Sequence, residues 1–158
     1  MKLNDLAFSN WNAIKKALYF EDGSLRDIYV LDTTLNDWMM WAEYVNKNYI
    51  VEFFDHNTNL SAAQLNMERV NMYWDGKLEC VFSASVIIEN AILKTYFFSP
   101  DEIEVDISPN EIINPEFHNA LLIYMKDVSV LLGKSVLLCE ENSKGNVLLR
   151  VDPVNIQQ

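Results

Sequence analysis

The chain has 158 residues, half of them hydrophobic and 22% charged, with four glycines and four prolines. That size fits one domain, the composition is globular, and the scarcity of Gly and Pro excludes long linkers and low-complexity tracts. A net charge of −11 argues against binding nucleic-acid phosphates or an anionic membrane, both of which call for clustered Lys and Arg. It leaves two readings, a solvated acidic surface or a basic partner.

The N-terminus, Met1-Lys2-Leu3-Asn4-Asp5, opens no signal-peptide pattern, and no apolar run approaches the ~20 residues of a membrane span. The expectation is a cytoplasmic protein. Cys80 and Cys139 both fall in strand-like apolar runs, so buried reduced thiols are expected. Two cysteines in a chain of this length do not make a secreted disulfide framework.

Residues 9 to 19 read as a short helix, with Ser9 or Asn10 as cap and Trp11, Ile14 and Leu18 on one face. Asp22-Gly23 breaks the chain. Arg26 to Leu31 reads as a strand, and its unalternating Ile28-Tyr29-Val30-Leu31 predicts cover on both faces. Thr34 to Asn48 is a helix, with Thr34 as N-cap and Asp37 three residues on. Leu35, Trp38, Met39, Ala42 and Val45 form its inward stripe, with Trp41 and Tyr44 beside it. Tyr49 to Phe54 is the next strand. Strand, helix and strand at this spacing predict a right-handed βαβ crossover with parallel strands, and hence a mixed sheet. Ser61-Ala62-Ala63-Gln64 has capping-box spacing and predicts a helix from about Ala62 to Met72.

Glu79 to Ile107 reads as a three-stranded antiparallel meander. Glu89-Asn90 suits a two-residue turn, because Asn tolerates positive φ. It sets Val86 opposite Leu93, Ala84 opposite Thr95 and Phe82 opposite Phe97. Ser99-Pro100-Asp101 makes the second turn and sets Phe97 opposite Ile103, Thr95 opposite Val105 and Leu93 opposite Ile107. With a side-chain period of two, Cys80, Phe82, Ala84, Val86, Leu93, Phe97, Ile103, Val105 and Ile107 share one face. Ser83, Ser85, Lys94, Tyr96, Glu104 and Asp106 share the other. Asn114-Pro115 starts a long helix over 115–132 that stops at Gly133. Ser135 to Cys139 and Asn146 to Val151 form a final hairpin. The sum is a two-layer α+β domain spanning 1–158, with residues 1–8 and 154–158 frayed.

No Gly-rich phosphate loop and no nucleophile-elbow pentapeptide is present. His56 falls in a polar loop and His118 in the first turn of the long helix. Neither has a histidine or cysteine at zinc-ligand spacing, so no metal and no cofactor is expected. Glu102, Glu104 and Asp106 alternate and point the same way from one strand. They read as a cation or acid/base site, or as a solvated face with Lys94 opposite Asp106. Trp41 and Tyr44 read as an exposed aromatic anchor or as part of a broadly buried helix.

Two function classes follow. One is a non-catalytic acidic module that docks a basic protein, in an inhibitor or immunity-type role. It would use Tyr96, Glu102, Glu104, Asp106, Trp41 and Tyr44. The other is an enzyme or small-molecule binder with a carboxylate/Tyr site between helices and sheet, drawing on Tyr96 or His118. A homodimer through the meander's outer face or the last strand's edge is compatible with either.

Overall fold

The computed structural model describes residues 10–154. The fraying expected of 1–8 and 155–158, and the capping role of Ser9, lie outside these residues. The described helices are α1 (Trp11–Leu18), α2 (Leu35–Asn48), α3 (Met67–Trp74) and α4 (Pro115–Leu132). The described strands are β1 (Arg26–Leu31), β2 (Ile50–Asp55), β3 (Leu60–Ala62), β4 (Phe82–Ile88), β5 (Ala91–Thr95), β6 (Glu102–Ile107), β7 (Val136–Glu140) and β8 (Val147–Val151). They form one sheet in the order β3-β2-β4-β5-β6-β1-β7-β8. The helices pack on one of its faces, giving the two-layer α+β domain.

The sheet is antiparallel throughout, not mixed. β1 and β2 run the same way, as a crossover requires, but β4, β5 and β6 lie between them. β2 takes β4 as its neighbour, and the tight Glu89-Asn90 turn and the connection 96–101 then carry the sheet on to β6. β1 closes against the far side of that meander and accepts β7 on its other edge, so both of its faces and both of its edges are covered.

The meander keeps the predicted register along β4 and β5. Phe97, however, lies beyond β5 with φ at 54°, so the ladder holds neither its expected pair with Phe82 nor that with Ile103. Ala84 opposes Thr95 and Val86 opposes Leu93. Lys94 opposes Asp106, the register that sets Thr95 against Val105. Phe82, Ala84, Val86, Leu93, Phe97, Ile103, Val105 and Ile107 are all buried. Each large side chain among them contributes about 1.5–3 kcal/mol of transfer free energy. Cys80 departs from the pattern. It precedes β4 and its thiol is exposed, whereas Cys139 is buried as expected. The first turn also differs in detail, for the positive φ falls on Glu89, at 54°, and not on Asn90.

The helix expected from Ala62 to Met72 starts later. Ser61 lies in β3, and the N-cap of α3 is Asn66, whose side chain accepts from the Arg69 amide at 3.2 Å. The cause sits on α2. The Asn46 side chain accepts from the Leu65 amide at 2.7 Å and donates to the Leu65 carbonyl at 3.2 Å. Residue 65 is thereby held as if paired in a sheet, and helix growth begins only after it.

The other helix ends follow their sequence signals. Thr34 and Asp37 close a reciprocal capping box. Asn114 accepts from the Phe117 amide at 3.0 Å, and Gly133 ends α4 in the left-handed region. Asn10 occupies the N-cap of α1 without a side-chain bond. A buried arginine ties α1 to β1. The Arg26 guanidinium donates to the carbonyls of Leu18 and Leu25 at 2.9 Å and of Phe20 at 2.5 Å, and stacks on the Phe20 ring.

Trp41 belongs to the core. It is 0% exposed, its ring lies edge-on to Trp38 at 5.4 Å, and its indole N–H donates to the Tyr124 hydroxyl at 2.9 Å. No helix among the described residues is long and apolar enough to cross a membrane.

Candidate functional site

The helices leave the outer face of the sheet open, and the acidic residues gather there. Alternation along β6 turns Ile103, Val105 and Ile107 inward and Glu102, Glu104 and Asp106 outward. β1 lies alongside with Leu31 opposite Glu102, Tyr29 opposite Glu104 and Asp27 opposite Asp106. On the other flank Lys94 of β5 opposes Asp106. Two strands, β1 and β6, thus bring four carboxylates, Asp27, Glu102, Glu104 and Asp106, to one patch, with Lys94 of β5 at its flank.

The loop between β7 and β8 folds over part of this patch. The Asn142 amide donates to Asp27 Oδ2 at 2.7 Å, and the Tyr29 hydroxyl donates to the same oxygen at 3.0 Å. The Lys144 ammonium pairs with Glu102 and lies 5.5 Å from the centre of the Tyr29 ring. Asp27 and Tyr29 are therefore only 3% and 2% exposed although they point away from the helices. Tyr29, Leu137 and Cys139 form a small apolar cluster of their own beneath this loop, with Leu31 packed against it.

Burial and mutual repulsion shift the acids. Partial burial, then the charges of Asp27, Glu102 and Asp106, push Glu104 up to about 7, with Lys144 opposing. Burial and Asp27 push Asp106 up to about 6 against the pull of Lys94. Burial, then Asp27, also raises the Cys139 thiol to about 11, which keeps it protonated and unreactive at neutral pH. The patch holds more negative charge than its own lysines neutralise. A cation arriving there is favoured twice, by Coulomb attraction and by the ionisation it restores.

Aromatic side chains border the acids. Tyr96 and Phe98 stack with their centroids 5.6 Å apart, and the Lys94 ammonium lies 5.6 Å from the Tyr96 ring centre. Phe98 is 69% exposed. Among the described residues no cluster of His, Cys, Asp and Glu has the geometry to hold a metal ion.

The expected site residues therefore divide. Tyr96, Glu102, Glu104 and Asp106 share the outer face. Trp41 is a core residue and not a surface anchor. Tyr44 is half-buried on the helix side, where its hydroxyl donates to Asp127 at 2.8 Å and meets the Tyr49 hydroxyl at 3.1 Å. His118 is also on the helix side. It is 3% exposed and bonded to the Tyr19 hydroxyl at 2.5 Å, and burial lowers it to about 4. His118 and the carboxylates do not meet in one site. An open groove of about 710 Å³ runs between α2 and residues 62–68, and it shares no residue with the acidic patch.

Sequence reasoning missed Asp27, Asn142 and Lys144. The signal for Asp27 is its parity with Tyr29 and Leu31 along β1. Its partners become visible only once β1 is placed between β6 and β7. No family model, curated protein or solved structure matches the chain.

Proposed function

We propose that this chain is a non-catalytic acidic protein-binding module that docks a basic partner in the cytoplasm, in an inhibitor or immunity-type role. The observation that carries the reading is the outer sheet face with Glu102, Glu104 and Asp106 on β6 next to the Tyr96–Phe98 stack, with Asp27 adding its charge from beneath the β7–β8 loop. Carboxylates steer a basic partner in and fix its orientation, while the exposed ring supplies desolvated contact area. The net charge of −11 extends that steering over the whole molecule.

The test is affinity capture from the native source with the wild-type chain and with Glu104→Lys/Asp106→Lys. A basic protein retained by the wild type, released by moderate salt and lost with the charge-reversed chain is the expected result. Capture that ignores both salt and charge reversal, or the absence of any basic protein, sinks the reading.

A further inference from the structure

The outer face also carries an apolar row at one end of β2, β4 and β5, with Glu52, Ser85 and Lys94 forming the next row along. Ile50, Ile87 and Ile92 stand directly opposite one another across β2, β4 and β5. All three point away from the helices, and Ile50 and Ile92 are 71% and 41% exposed. Along β4 the other outward residues are Ser83 and Ser85. Small side chains on β4 between longer ones on β2 and β5 make that strand the low line of the face. It leads from the isoleucine row past Tyr96, with the acids of β6 two strands to one side.

We infer that the basic partner presents an amphipathic helix, laid along β4 with its apolar stripe on Ile50, Ile87, Ile92 and Tyr96 and its Lys/Arg flank over Glu104 and Asp106. This deepens the proposed function and rests on it. Charge complementarity selects the occupant. A second copy of this chain, itself at −11, would set carboxylates against carboxylates. A partner that is basic and nothing more would leave the isoleucines in water. A helix with one apolar stripe and one cationic flank matches both the isoleucine row and the acids of β6, which its flank reaches across Lys94 of β5. β4 has seven residues, a span of roughly 23 Å, which about fifteen helical residues cover.

The probes are two synthetic peptides of about fifteen residues and equal positive charge, one a Leu/Lys amphipathic helix and the other with every Leu replaced by Ser. Titration calorimetry gives the affinities, and amide chemical shifts give the location. The amphipathic peptide is expected to bind at least about tenfold tighter, corresponding to burial of one or two apolar side chains, with shifts centred on Ser83, Ser85 and Ile87. Ile87→Ser and, independently, Ser85→Trp, which fills the low line, should each remove that advantage and leave the Ser peptide's affinity unchanged. Equal affinity of the two peptides overturns the inference while leaving a charge-only docking site. Shifts centred on the α2 groove overturn it as well. If neither peptide touches the outer face, the proposed function falls with it.

Discussion

Asp27 of β1 and Asp106 of β6 are direct cross-strand partners on the outer face of the sheet. Like charges placed this way cost stability in an antiparallel pair, and the chain answers only in part, with the Asn142 amide and Tyr29 hydroxyl on Asp27 and with Lys94 opposite Asp106. The remaining strain is electrostatic and titratable.

Glu104 and Asp106 have folded-state values of about 7 and about 6, above the ordinary carboxylate range. Between about pH 4 and 7 the folded state thus holds more protons than the unfolded one, and these two groups lose stability as pH rises through that window. Glu104→Gln with Asp106→Asn removes the loss. Thermal unfolding should show the double variant melting about 2–4 °C higher near pH 8 and level with the wild type near pH 4. Equal melting at both ends would refute this account of the patch.

His118 works in the opposite direction. Burial lowers it to about 4, so acidification from about 6.5 protonates the unfolded state first, and its contribution is lost as pH falls. In the wild type the two trends offset each other. The Glu104→Gln/Asp106→Asn double variant should therefore unmask a decline in stability below about pH 6.5, and adding His118→Gln should flatten it. A double variant whose melting point is flat from neutrality down to about pH 4.5 would contradict this.

The local fold was legible where two short-range signals agreed. Period-two alternation and the two turns set the meander's register, and the caps at Thr34 and Asn114 set the helix starts. The candidate site was half legible. Glu102, Glu104 and Asp106 point one way by alternation alone, but Asp27 and Lys144 reach them through contacts between β1, β6 and the β7–β8 loop, and strand order between distant segments leaves no periodic trace. The helix start near Ser61 failed for a similar reason, because the α2 side chain of Asn46 overrides a local capping pattern. Trp41 shows the limit of stripe counting, since α2 is buried over a wider arc than its central row.

Glu89 occupies the first turn position of the β4–β5 hairpin with φ at 54°, a region that costs a non-glycine residue of order 1 kcal/mol. Glu89→Gly removes that cost and gives up part of it to unfolded-state entropy. A net gain of about 0.5 kcal/mol is expected in urea unfolding, with an unchanged m-value. A loss of stability would show that the Glu89 side chain contributes something its exposed position does not reveal.

Trp41 and Tyr124 join α2 to α4 inside the core. Tyr124→Phe keeps the ring and strands the indole N–H, at a cost of about 1–3 kcal/mol. Trp41→Phe removes the donor with some volume and should also lower the melting temperature. Because Trp41 is fully buried, neither variant should alter the salt dependence of partner binding while the protein remains folded. A changed salt dependence in folded protein would return Trp41 to the interface.

Lys144, like Lys94, is a cation that the chain itself places on the acidic patch. It pairs with Glu102, and its charge also lowers Glu104. Lys144→Gln removes both effects, so the Glu104 carboxyl, followed by carbon NMR across a pH titration, should move further above about 7. The same variant leaves Glu102 without its partner and opens the cover over Tyr29. Binding of a basic peptide to the patch should tighten severalfold, because Lys94, opposite Asp106, is then left as the internal ammonium competing for the carboxylates. The two readouts separate the roles. An unmoved Glu104 titration would mean that solvent screens Lys144 already, and weaker binding would mean that the β7–β8 loop forms part of the docking surface instead of shielding it.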